Sequence, residues 1–134
     1  AEARAQAKHM SFFETPEQQV RFLADLPPDA QARFLADTLA EIEAEDAALE
    51  SLDDLWARGE TERLAALFDA QWKTGSPLLH EVIILQRNRA WADDIARRLD
   101  GEGRIFIAVG AAHLLGEGNV VALLRERGID VEGP

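Results

Sequence analysis

Apolar residues fall into two kinds of pattern along this chain: short unbroken runs, and longer stretches where they return every three or four positions. The runs are "MSFFE" at 10–14, "RIFIAV" at 104–109 and "IDV" within 129–132. A continuous β-rich run such as 104–109 predicts a strand buried in a sheet covered on both faces, and the other two predict shorter strands. The recurring stretches predict helices. "TPEQQ" starts the first with Thr15 as cap, Pro16 in the first turn and Gln18 completing a capping box, and "PP" at 27 and 28 ends it. From Asp29 to about Arg58, Leu35, Leu39, Ile42, Leu49, Leu52 and Trp56 recur at helical spacing and predict one amphipathic helix, closed by Gly59. "ETERLAALFDAQW" predicts another helix. Ser76 and Pro77 then start one that runs to about Leu99 with Val82, Ile83, Trp91 and Ile95 on one side. "NVVALLRER" predicts a last short helix before Gly128.

The order strand, helix, strand after residue 104 suggests a right-handed parallel crossover. The fold class expected is therefore α/β, mostly helical, with about five helices and a small, at least partly parallel sheet built from 10–14, 104–109 and 129–132. With 134 residues, 47% of them hydrophobic, one domain over 10–134 is expected. Residues 1–9, "AEARAQAKH", read as the end of a preceding helix or as an artificial remnant.

Charge narrows the partners. Fourteen Lys and Arg against 25 Asp and Glu give a formal charge of −11, which repels phosphate backbones and anionic lipid at long range. Nucleic acid is not an expected partner, and no apolar run approaches the ~18 residues of a membrane-inserted span. Without cysteine, neither disulfides nor thiolate metal sites can be proposed. Residues 37–54 hold eight carboxylates (Asp37, Glu41, Glu43, Glu45, Asp46, Glu50, Asp53 and Asp54) and no Lys or Arg. That pattern reads as a solvated helix face, with a cationic partner as the alternative.

Three residues carry the candidate chemistry. Glu14 and His113 lie at or just past the carboxyl ends of expected strands, where open α/β sheets place their ligands. Together they offer oxygen and nitrogen donors for a divalent metal, or a base and its orienting partner. Each also has a structural alternative: His113 as a hydrogen-bonded strand end, Glu14 as a carboxylate held by the dipole and amides of the following helix. Arg87, between Ile83 and Trp91 on the apolar side of its helix, needs an anionic partner, which substrate, a plain ion pair or a snorkelling stem would each satisfy. Asn88 could add an amide to the same site, and Gly110 could let the backbone turn sharply or approach a ligand. His9 and His80 have no such placement.

Taken in order, "FFETPEQQ", "LWARGE", "QRNRAWADDIARRL" and "IFIAVGAAHLLGEGNVVALLRERGIDV" resemble the C-terminal half of the TraB/GumN family, relatives of the Tiki metalloproteases. The resemblance covers nearly the whole chain from about residue 10. In the Tiki-like relatives two Gly-x-x-His motifs, a glutamate and an arginine are thought to form a metal-dependent hydrolytic centre. Gly110 and His113 match the second motif, Glu14 the glutamate and Arg87 the arginine that precedes asparagine.

No first Gly-x-x-His motif is present: Glu62 and Leu78 stand three beyond Gly59 and Gly75. The resemblance thus implies a metal-dependent, peptidase-like hydrolase with an incomplete half-site, inactive as this chain alone. It implies a divalent ion (Mn, Co or Zn) held by His113 and Glu14, Arg87 as an electrostatic group, and Asn88 and Gly110 beside them. A peptide or protein substrate, the N-terminal half of the domain and self-association are the partners it suggests, and an extracytoplasmic location follows from relatives that resemble exported proteins. The alternative is a noncatalytic peptide- or ligand-binding module of the same fold.

Overall fold

In the computed structural model the described residues are 2–43 and 46–133, and their regular structure is entirely helical. After one turn, α1 (Glu2–Ala5), come α2 (Pro16–Ala24), α3 (Pro28–Glu43), α4 (Asp46–Arg58) and α5 (Thr61–Thr74). The helix that starts at Ser76 has three parts: α6 (Pro77–His80), a π turn (Glu81–Leu85) and α7 (Gln86–Leu99). A 3₁₀ turn (Ala111–His113) and α8 (Val120–Glu126) complete the order.

Local chemistry starts these helices, at Thr15 and Ser76 as the sequence predicts and at Asn119 in addition. Thr15 accepts from the Gln18 amide while the Gln18 side chain accepts from the Thr15 amide, the reciprocal capping box. Ser76 and Asn119 cap α6 and α8 through the amides of Leu79 and Ala122. The π turn falls on "EVIIL", where three successive β-branched residues, Val82 to Ile84, crowd an α-helical turn.

The core has two parts. Trp91, Ala92 and Ile95 of α7 pack on Val120 and Leu124 of α8, and Leu55 and Leu64 join Leu115 below α4 and α5.

The expected parallel sheet is absent among the described residues. Segments 10–14, 104–109 and 129–132 have no strand pairing, although Phe13, Ile107, Val109, Ile129 and Val131 all reach the same α7–α8 cluster. The physical reason is that an apolar run specifies burial, whereas a strand also needs a neighbouring main chain to bond. Nor is 104–109 buried on both faces: Phe106 is 94% exposed.

The long periodic stretch is helical over Pro28–Glu43 and Asp46–Arg58, with residues 44 and 45 outside the described set. Of its stripe, Leu52 is half-buried against the Leu55, Leu64 and Leu115 cluster, and the side chain of Leu49 lies outside the described residues. Leu35, Leu39, Ile42 and Trp56 are exposed, and Leu55 is the residue that is buried. Of the eight carboxylates at 37–54, Asp37, Asp53 and Asp54 are exposed, two of them in ion pairs with Arg33 and Arg58. The side chains of Glu41, Glu43, Glu45, Asp46 and Glu50 lie outside the described residues.

This distribution predicts that Leu55→Ala destabilises the chain by about 2–5 kcal/mol, the usual cost of emptying a core position. Leu35→Ala, on the exposed stripe, should change stability by less than about 0.5 kcal/mol. Urea melts of both variants check the contrast.

Candidate functional site

Glu14 ends the segment before α2, and the Thr15 cap fixes the chain there so that its carboxylate turns toward α7. Arg87 meets it fork to fork, Nε to Oε1 at 2.8 Å and Nη2 to Oε2 at 3.0 Å. Only 16% of the Arg87 side chain and 7% of the Glu14 side chain are exposed. The third guanidinium nitrogen, Nη1, donates to the Ile83 carbonyl inside the π turn at 2.9 Å. Aromatic rings cover the cation: its centre lies 4.9 Å from the Trp91 ring and 5.3 Å from Phe22.

A carboxylate accepts about four hydrogen bonds. Glu14 receives four, two from Arg87, one from Trp91 Nε1 at 2.9 Å and a longer one from Gln19 Nε2 at 3.3 Å. Burial by itself raises the Glu14 pKa, but the Arg87 hydrogen bonds and charge, with Gln19 and Trp91, outweigh it and hold the carboxyl below its ordinary value. Glu14 is therefore a charged acceptor with no idle lone pair. Any further ligand at its oxygens has to displace a donor, and the exposed Gln19 amide is the weakest.

His113 follows Gly110 in the 3₁₀ turn and is 7% exposed. Its Nδ1 lies 2.6 Å from Oδ1 of Asn88, a residue with no exposed surface. The Asn88 Nδ2 donates to the Gly118 carbonyl at 2.9 Å, so the amide oxygen faces the imidazole and can only accept. This assigns the proton to Nδ1. Nε2 is left with its lone pair and has no hydrogen-bond partner among the described residues. Burial, reinforced by the Arg87 charge and opposed by Glu14, lowers the His113 pKa to about 4, so the ring is neutral at neutral pH.

Trp91 joins the two halves. Its indole donates to Glu14, underlies Arg87, stacks on Phe13 at 5.2 Å and meets the His113 ring at 4.4 Å.

The structure thus brings Glu14 and Arg87 into direct contact and places His113 and Asn88 next to them through Trp91. Gly110 has φ −64° and ψ 145°, a conformation open to any residue, and a Cβ there would touch only His113 Cδ2 at 3.8 Å. A sharp turn is not its role, and its small size leaves the space beside the imidazole open. Gly118 is the more demanding glycine: its φ is +67°, a Cβ would lie 2.7 Å from Leu85, and its carbonyl holds Asn88. Sequence reasoning passed over Gly118 and treated Trp91 as core, although a tryptophan four residues beyond an arginine on one helix face was the available signal. Of the other histidines, His80 stacks on Trp72 and His9 is exposed, both outside this cluster. Beside Glu14 lies an open depression of about 440 Å³ lined by Phe12, Phe13, Thr15, Pro16, Gln18 and Gln19.

Comparison with known proteins agrees with the resemblance. The sequence profile of the TraB/PrgY/gumN family matches residues 1–133, and the chain belongs to that family. The uncharacterized protein YbaP of Escherichia coli (strain K12) is 33% identical over 123 residues, covering 92% of this chain and 44% of the relative. The protein of the same description from Shigella flexneri matches to the same extent. The chain therefore spans less than half the length of these relatives. No solved structure matches it significantly.

The electrostatics predict acid sensitivity in two stages for chelator-treated protein. His113 has its folded pKa depressed to about 4, so its contribution is complete above the unfolded value of about 6.5 and is lost as pH falls from there toward 4. Glu14, also depressed, contributes above its unfolded pKa and is lost at still lower pH. Urea midpoints should fall below about pH 6.5, and His113→Asn should remove most of the first stage, leaving the smaller part that His80 contributes because burial lowers its pKa too. A midpoint flat to pH 4.5 in the parent chain would contradict the buried neutral imidazole.

Proposed function

We propose that this TraB/PrgY/gumN family member supplies one arm of a metal-dependent hydrolytic site, acting on a peptide bond, and that His113 is the metal ligand of that arm. The observation that carries the reading is the imidazole itself: neutral, oriented by Asn88 through Nδ1, and presenting the bare Nε2. A histidine ligand needs that state, with its second nitrogen bonded to a carbonyl-type acceptor.

The donors present fit one coordination position and not a full set. Among the described residues no group of three or more His, Asp or Glu gathers as a metal cage requires. Glu14 joins the ligands only by giving up a donor such as Gln19, and otherwise serves as the anchor for Arg87. The remaining ligands come from family-domain segments beyond these residues. When bound, a divalent ion of the Mn, Co or Zn kind polarises a substrate carbonyl and activates water. The chain's own part is to hold Nε2 unprotonated and to keep the Arg87 charge next to it.

The saturation of Glu14 favours a second reading, a noncatalytic peptide- or ligand-binding module. In that case the depression along Phe12–Gln19 is the contact surface and His113 a structural residue.

Calorimetric titration of the chelator-stripped chain with manganese, cobalt and zinc separates the two. The first reading predicts weak binding that His113→Ala abolishes and that Asn88→Ala weakens by about 10-fold or more. Measurable binding whose affinity is unchanged in His113→Ala removes the ligand role.

A further inference from the structure

The four hydrogen bonds to Glu14 are unequal, and the weakest comes from the solvent side. Arg87 and Trp91 donate from the buried side at 2.8 to 3.0 Å, whereas the exposed Gln19 amide reaches Oε2 at 3.3 Å. Glu14 and Gln19 both line the open depression of about 440 Å³, a size within the roughly 300–1,000 Å³ of small-ligand sites. Gln18 lines it too. Its Oε1 accepts from the Thr15 amide, which leaves its Nε2 a donor with no hydrogen-bond partner among the described residues. An acceptor held only by a long, exposed bond and a free donor along the same short segment match the N–H and C=O of one peptide unit. The apolar part of the lining is set beside them. Phe13 is fixed by stacking on Trp91, and Phe12 is 74% exposed, so its ring is open to a ligand.

Charge decides what kind of donor fits. Among the described lining residues only Glu14 is charged, and Arg87 already answers it at Oε2 itself, at 3.0 Å. A second cation at that oxygen meets like charge, and a neutral N–H does not.

We propose that the depression binds an uncharged peptide unit bearing an apolar side chain. Its N–H replaces Gln19 at Glu14 Oε2, its carbonyl accepts from Gln18 Nε2, and its side chain lies on Phe12 and Phe13. Gln19 is then a place-holder that keeps the carboxylate satisfied until the ligand arrives, and its exposed amide turns to water when displaced. The inference deepens the reading of this depression as a peptide contact and rests on it, and it uses neither a metal nor His113.

Titration of the isotope-labelled chain with N-acetyl-leucine N′-methylamide, followed by NMR, tests it. The main-chain amides of Phe12, Phe13 and Thr15 and the side-chain amides of Gln18 and Gln19 should shift and saturate. The analogue methylated at both amide nitrogens has no N–H and should bind on the order of 5-fold more weakly, the worth of one hydrogen bond. Gln19→Ala, an exposed change, should bind the first probe at least as tightly as the parent chain does.

Equal affinity for the two probes leaves a peptide contact in place and overturns the exchange at Glu14. A loss of about 5-fold or more in Gln19→Ala makes Gln19 the contact itself and overturns the place-holder role. No response at these amides removes the peptide contact and the inference together. Shifts that follow protein concentration without any probe assign the depression to a second copy and also overturn it.

Discussion

A buried ion pair organises this molecule. Glu14 and Arg87 are 73 residues apart in sequence, and each is largely withdrawn from water. Burying either alone would cost several kcal/mol, so the fold must supply the other at hydrogen-bonding distance. That requirement joins the segment before α2 to the start of α7. The remaining polar valences are met by Trp91, Gln19 and the Ile83 carbonyl, and the apolar rings of Phe22 and Trp91 close over the cation. The π turn takes part directly, because one of its carbonyls receives the guanidinium that α7 presents.

From this pair the arrangement reaches the imidazole by two routes. Trp91 bonds Glu14 at one edge and touches His113 with its ring, while Asn88, beside Arg87, bonds His113 at Nδ1 and ties it to Gly118. The Arg87 charge acts at short range too, adding to burial in disfavouring a protonated ring. One helix therefore fixes the position, tautomer and charge of a histidine carried by a loop. A neutral nitrogen with an unshared pair, held in place before any ligand arrives, is the state that metal binding or proton abstraction demands.

Much of this was legible in the residues. Capping chemistry is local, so the starts at Thr15 and Ser76 could be read from a few neighbouring side chains. The sequence groups Glu14, Arg87, Asn88 and His113 as candidates for one site, and the structure brings them together, although the ends of paired strands on which that grouping relies are absent among the described residues. A run such as "RIFIAV" announces an inward-facing row, and Ile107 and Val109 do face inward, but pairing is decided by whichever main chain lies alongside. The exposed stripe Leu35, Leu39 and Ile42 carries the same lesson, since periodicity shows that a helix has an apolar face without showing what covers it. Trp91 was hidden by its own regularity: a tryptophan in step with Ile95 is already explained as core, and its indole N–H is a tertiary matter.

The account rests on Glu14 and Arg87 acting as one unit, and a double-mutant cycle in urea measures that coupling. Arg87→Met in the parent chain should cost about 3–5 kcal/mol by stranding the buried carboxylate, and the same change in a Glu14→Gln background should cost far less, with a coupling of about 1–3 kcal/mol. Strictly additive effects would mean that the two side chains do not depend on each other, and the central interaction would be misplaced.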